Sequence, residues 1–339
     1  MSTVRHGGAM RVAALTSLVA MLAIIASHAH SADGPGTARR LSPLDARRAG
    51  VAVDLVRAEV AGHQLVQARL PQSDGEDDAD AARRLLAIRR DGGAVAVADR
   101  IAADHATLTL AQADGSQLQV ELPGLIAAGF AVDGTWLAVV DGHGALSRID
   151  AATGERDAIA DGPFLGPVTV TAAGDVILQR VASVEAPFRS TLVSVDPVDG
   201  MLEARSGEEL VYGATLLDDG SLAIVAHRPE GTQVRRIGPD GHDELLADLG
   251  TGAVNAAVSP DGSHVAWERH SDGVLILDIG SGGITRIVGG SQPRFSPDGT
   301  ALLVMNGGRA QLVGLDGRRL ADLEGPAAAF VPCTPGCRP

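Results

Sequence analysis

The chain has 339 residues and a mass of 34.6 kDa, enough for one large domain or two small ones. Hydrophobic residues make up 45% and charged residues 21%, the balance of a folded rather than a disordered chain. Acids outnumber bases 42 to 28, every base is Arg, and the net charge is -14; this excludes nucleic acid and anionic lipid as main partners, and aromatics at 2% exclude base-stacking platforms.

In chain order, residues 1–31 come first and read as a secretory signal peptide. Arg5 and Arg11 form a positive n-region, and Val12 to Ala26 is apolar except for Thr16 and Ser17. Small residues then allow cleavage after Ser31 or, nearly as well, after Ala29. Met10-Arg11 followed by the apolar run is complete by itself, so there are two candidate starts. The apolar run is shorter than the roughly 20 residues that a membrane-spanning helix needs, which favours cleavage over a retained anchor. No Cys marks a lipoprotein site and no Arg pair precedes the apolar run. The mature chain is expected to be secreted or periplasmic, with no membrane span.

Residues 32–49 read as a linker and residues 50–339 as one repetitive domain. The clearest repeat is Ala257-Val258-Ser259-Pro260-Asp261-Gly262-Ser263-His264-Val265-Ala266-Trp267. It is nearly copied by Arg294-Phe295-Ser296-Pro297-Asp298-Gly299-Thr300-Ala301-Leu302-Leu303-Val304. Fainter copies centre on Gly92, Gly134, Gly174 and Gly220, so the turn glycines are spaced by 42, 40, 46, 42 and 37 residues. Asp-Gly between two apolar runs is a hairpin signal, because Gly accepts positive φ without steric cost. Apolar residues recur three and five positions past the glycine, as at Val95 and Val97, Leu137 and Val139, Val265 and Trp267, Leu302 and Val304. At Gly174 and Gly220 the pattern begins one residue early, which predicts a shorter turn there. A second hairpin follows each first one, as in Gly273–Asp278 with Gly283–Ile287. Four short strands per 41 or so residues is one blade of a β-propeller. The run Ala79–Ile88 is the only helix-like stretch of the mature chain, and it also reads as a strand.

The two ends of the domain suggest closure. Gly50 lies one period before Gly92, and Val53 and Leu55 repeat the apolar positions. Ala328–Pro332 reads like Pro293–Pro297, the strand before an Asp-Gly turn. The expected fold is therefore an all-β propeller of four-stranded antiparallel sheets. The count is seven blades if residues 51–70 complete the blade entered by the C-terminal strand, and six if residues 50–70 pack elsewhere.

The Ser-Pro-Asp-Gly repeats at 259–262 and 296–299 resemble the WD40-like (PD40) repeats of the TolB-like propeller family. The resemblance is specific over residues 250–305, looser over 120–235 and faint before 110. It implies a propeller and, commonly, an exported protein that binds a partner. TolB-like proteins carry an α/β domain before the propeller, for which only residues 32–49 are available here, so the Tol-system role is not carried over. Similar repeats also occur in propellers fused to serine peptidases, for which this chain has no room.

Chemistry-bearing motifs are sparse. A G-x-S-x-G elbow, an H-E-x-x-H motif and a P-loop are all absent. Asp91, Asp133, Asp219, Asp261 and Asp298 precede turn glycines and read as local turn-bonding groups. His227, His264 and His270 could converge as metal ligands but read more simply as loop residues. The acidic run at 74–80 lacks the spacing of a Ca²⁺ loop and reads as a solvated segment. No cofactor is expected. Cys333 and Cys337 most simply pair with each other in an oxidising compartment, two free thiols being the alternative. Trp136 lies out of phase with buried Trp267 and, with Tyr212 at the start of an inner strand, is a candidate partner contact; packing against a neighbouring blade is the competing reading of both.

These features point to an exported, monomeric, non-catalytic binding or scaffold module for a protein, peptide or glycan, with a cell-envelope partner. The alternative is a lactonase- or lyase-like propeller enzyme with its site at the central channel. No consistent polar position on the inner strands supports the enzyme.

Overall fold

The structure, a computed structural model, describes residues 38–48, 53–69, 84–89, 93–99, 105–183, 189–207, 210–228, 230–269, 272–306, 309–323 and 328–330. The Asp-Gly repeats fold as the glycine spacing predicts. In the clearest copy the Gly262 N–H donates to the Ser259 carbonyl at 2.9 Å, with Gly262 at φ +73°. In four copies the Asp before the glycine binds its own turn: Asp133, Asp219, Asp261 and Asp298 accept from the N–H groups of Thr135, Ser221, Ser263 and Thr300, while Asp91 lies outside the described residues. The turns at Gly174 and Gly220 are one residue shorter, as the early phase predicts: the Thr171 and Leu217 N–H groups donate to the carbonyls of Asp175 and Ser221, four residues on, where Ser259 and Ser296 donate to His264 and Ala301, five residues on.

Among the described residues these hairpins assemble into seven antiparallel sheets. The first holds β4 (Arg84–Ile88), β5 (Ala94–Asp99), β6 (Ala106–Gln112) and β7 (Gln117–Leu122), with β1 (Ala38–Leu41) on its outer edge. The second holds β8 (Leu125–Phe130), β9 (Trp136–Asp141), β10 (Leu146–Asp150) and β11 (Arg156–Ala160). The third holds β12 (Phe164–Val170), β13 (Val176–Ser183), β14 (Arg189–Val195) and β15 (Leu202–Ala204). The fourth holds β16 (Leu210–Leu216), β17 (Leu222–Arg228), β18 (Gly231–Ile237) and β19 (Asp243–Gly250). The fifth holds β20 (Ala253–Val258), β21 (His264–Arg269), β22 (Gly273–Asp278) and β23 (Ile284–Ile287). The sixth holds β24 (Ser291–Phe295), β25 (Ala301–Asn306), β26 (Arg309–Gly314) and β27 (Arg319–Asp322). The seventh joins the chain ends: β3 (His63–Arg69) lies between β2 (Asp54–Val60) and β28 (Ala328–Phe330).

One detail differs from the sequence expectation, and two more are made specific. Residues 38–48, read as linker, form β1 and the short helix α1 (Pro43–Arg48). β1 pairs with β7 from Ala38↔Val120 to Leu41↔Gln117, which covers the outer edge of the first sheet and makes it five-stranded. The strand beside β28 is β3, in register Phe330↔Leu65, while β2, which carries Leu55, lies on the far side of β3. From the helix-like run Ala79–Ile88, residues 84–88 are a strand, as their second reading allowed.

Apolar side chains bury themselves between sheets. One core cluster spans each consecutive pair, from Leu108, Val120 and Leu137 between the first two to Leu65, Leu312 and Phe330 between the sixth and seventh. A further cluster of Val53, Val66, Val95 and Val97 joins the seventh sheet to the first. Each sheet is thus covered on both faces, which is why all six residues of β9 are buried. The first strands of consecutive sheets, β4, β8, β12, β16, β20 and β24, lie beside one another around the centre. This is an all-β propeller.

Candidate binding site on the channel wall and rim

The first strands form the wall of the central channel, and each is kinked. Their ladders to the second strands shift register near the start, between Leu85 and Ala87, Leu125 and Ala127, Leu165 and Thr169, Val211 and Gly213, Val254 and Ala257, and Ser291 and Arg294. A bulge re-aims side chains at the end of a strand. Tyr212 occupies the bulge of β16, at the start of an inner strand. In β20 and β24 the bulge places Asn255 and Gln292 at φ 49°, a left-handed conformation uncommon outside Gly.

Glu268 of β21 holds these two bulges together. Its carboxylate accepts from Asn255 Nδ2 at 2.8 Å and from the Gln292 N–H at 3.3 Å. Beside it opens a cavity of about 300 Å³, lined by Glu268, Arg269, Asp272, Arg286, Gly290 and Ser291 among others. Asp272 lies 3.7 Å from Arg269 and 3.4 Å from Arg286, whose Nε also donates to the Asp272 carbonyl at 2.8 Å. This rim lies at the end of β21 remote from the Asp-Gly turn. On the turn side, a cavity of about 180 Å³ is lined by Asp219, Ser221, Arg236, Asp240, His242 and Glu244.

The residues singled out from sequence fall mostly elsewhere. Trp136 is not a surface group: it is 7% exposed, packed with Ala138, Leu146 and Phe164, and Arg148 sits 5.2 Å from its ring centroid. The phase argument failed because both faces of β9 meet a neighbouring sheet. Trp267 is buried, as its phase predicts. His227 ends β17 and His264 begins β21, so the two lie at opposite ends of their parallel-running strands, roughly 15–20 Å of chain apart. His264 bonds Ser263 Oγ at 2.7 Å instead. Among the described residues no group of three metal-ligating side chains comes together. His270, the acidic run 74–80, Cys333, Cys337 and the signal segment 1–31 lie outside the described residues. No described helix is long and apolar enough to cross a membrane.

Glu268, Asn255, Gln292 and Arg294 drew no attention as sequence. For Arg294 a signal appears only once the turn glycines align the repeats.

No protein-family model matches the sequence, and no curated relative does. Among solved structures the chain is similar to TolB from Acinetobacter baumannii, with TM-score 0.53 and 18% identity over 92% of this chain and 94% of that one. It is similar to the tricorn protease with TM-score 0.55 and 11% identity, over 89% of this chain but 36% of that one. An oligogalacturonate lyase in complex with manganese matches more loosely, with TM-score 0.46 and 12% identity over 81% of this chain and 95% of that one. At these identities the likeness is one of fold, a TolB-like β-propeller.

Proposed function

We propose that this chain is an exported, non-catalytic seven-bladed propeller that binds a protein, peptide or glycan partner of the cell envelope at its channel and rim. One observation carries the reading. The seven strands read as the inner ones, β4, β8, β12, β16, β20, β24 and β28, contain no Asp, Glu or His. Asp, Glu and His are the usual general acids, bases and metal ligands of a channel enzyme, and the described inner strands carry none; the Glu268 carboxylate at the rim is engaged by Asn255 and the Gln292 N–H. What the wall offers is small apolar side chains, backbone edges and amides, the groups of a recognition surface.

Seven sheets with an inter-sheet core at each junction among the described residues support the count of seven blades, and the mixed blade β28–β3–β2 supports closure through both chain ends. Export rests on the n-region and apolar run of residues 1–31. The compartment is secreted or periplasmic, the working form a monomer, and Cys333–Cys337 a short-loop disulfide.

Metal analysis and N-terminal sequencing of the mature protein test this. Protein purified from the cell envelope or medium is expected to begin at Ala32 or His30 and to carry no stoichiometric divalent ion. A bound metal together with turnover of a lactone or uronate polymer would overturn the binding reading. An intact N-terminus in cytosol would overturn export.

A further inference from the structure

Aligning the inner strands on their turn glycines reveals one position that breaks the repeat. The residue five before each glycine pairs with the second strand of its own sheet: Ala87 with Ala96, Gly129 with Ala138, Thr169 with Ile177, Thr215 with Ala223, Ala257 with Ala266, and Arg294 with Leu303. Five blades place Ala, Gly or Thr here, and the sixth places Arg. The wall is tight at this level. A Cβ on Gly129 would lie 2.6 Å from the Val168 carbonyl oxygen of the next inner strand. A long side chain has no room between inner strands, and Arg294 is indeed exposed, as is Gln292, while Pro293 between them is buried.

Arg294 has no hydrogen-bond or ion-pair partner among the described residues. Surrounding protein nevertheless holds its guanidinium below its ordinary pKa by desolvation. Access to water combined with desolvation is what a group projecting into an enclosed channel experiences. The charge pattern is equally pointed. In a chain of net charge -14, the charged residues of the inner strands are Arg84 and Arg294, both cations.

We propose that Arg294 is a carboxylate-binding site in the central channel, and that its ligand is the terminal carboxylate of an extended peptide segment. A guanidinium presents a planar fork that matches a carboxylate with two parallel N–H···O bonds. A singly charged group is favoured over phosphate because the acidic protein repels a dianion more strongly. A peptide is favoured because each inner strand is an edge strand, with one side of its backbone turned to the channel and unpaired in the sheet. An extended segment can bond to such an edge while its end reaches Arg294. The exposed Gln292 side-chain amide, two residues away, supplies a second donor.

The site deepens the binding reading and rests on it. Calorimetric titration tests it with N-acetyl-trialanine as the free acid, the same peptide as its C-terminal amide, glucuronate and inorganic phosphate. The free acid is expected to bind, with the amide at least tenfold weaker. Arg294→Ala should remove that difference without lowering the melting temperature, since Ala already fills positions 87 and 257. Arg294→Lys should retain part of it, because an ammonium offers a point charge without the fork. Equal affinity for acid and amide, no binding of the acid, or an Arg294→Ala protein that binds the acid like the wild type would overturn the site. Tighter binding of glucuronate or phosphate than of the peptide would overturn the peptide assignment. None of these outcomes touches the broader binding reading, which falls only to a resident metal with turnover.

Discussion

Asp141 is 3% exposed and accepts from the N–H groups of His143 and Ala145 and, at 2.7 Å, from Arg156 Nη2; Arg156 Nε in turn donates to Ser147 Oγ. This one carboxylate ties together β9, β10, β11 and the loop after β9. Asp141→Ala strands two backbone donors and a largely buried guanidinium, and is expected to cost about 3 kcal/mol or more in chemical denaturation. Arg156→Ala should cost less, because the carboxylate keeps its two backbone donors. The turn carboxylates set the acid limb of stability. Desolvation pushes Asp298 up, but bonds from Ser296 Oγ and from the Thr300 N–H and Oγ1 outweigh it and hold the group below its ordinary value. Asp261 is lowered against desolvation by the matching bonds from Ser259 and Ser263. A depressed carboxylate stabilises the fold above its unfolded pKa of about 3.9 and loses that contribution as pH falls through the lower folded value. Asp298→Asn should therefore be less stable than wild type at pH 7, with the gap closing below about pH 4; a constant gap across that range would contradict it.

At the scale of elements, the Asp-Gly hairpin is the unit the sequence writes most clearly, because its chemistry is local. Gly299 adopts φ +72° with no atom closer than 3.7 Å to the place of a Cβ, so Gly299→Ala should cost only the left-handed strain, on the order of 1–2 kcal/mol. Gly129→Ala should cost more, because the new methyl meets the Val168 carbonyl oxygen on a packed neighbouring strand. Comparing the two melting temperatures separates turn conformation from inter-strand clearance. Period-2 patterning, by contrast, misleads about exposure in this fold. Trp136 looked exceptional only if one face of each strand meets water. With both faces packed, apolar residues in either phase are buried; the early phase at Gly174 and Gly220 instead marks a turn one residue shorter.

For the whole molecule, closure is the feature that mutation tests most directly. Phe330 is 8% exposed, pairs with Leu65, packs with Leu303, Leu312 and Leu323, and meets the His63 ring edge-on at 5.8 Å between centroids. Phe330→Ala is expected to cost about 3–5 kcal/mol. Deleting residues 326–339 should cost more, since it strips β28 from β3 and opens the cluster between the sixth and seventh sheets. Replacing Cys333 and Cys337 with Ser should be mildest, because the loop they would close is very short. A truncated protein that melts with the intact one would show that the ring is held some other way.

The sequence by itself determined the all-β class, the period of the repeat, the position of each turn and the residues that bond within it. All of these depend on neighbours within about ten positions. It also pointed to the meeting of the two chain ends, since Ala328–Phe330 repeats a recognisable strand. Only the tertiary structure decided that β3 rather than β2 receives that strand, that residues 38–41 add a fifth strand, and that Trp136 lies inside. It alone brought Asn255, Glu268 and Gln292 together and turned Arg294 to the exposed face of an inner strand. The reason is physical. Turn conformation is fixed by short-range sterics and hydrogen bonds, whereas exposure and strand order depend on which sheet packs against which, a choice made by contacts between residues far apart in sequence, from Trp136 with Phe164 to Leu65 with Phe330.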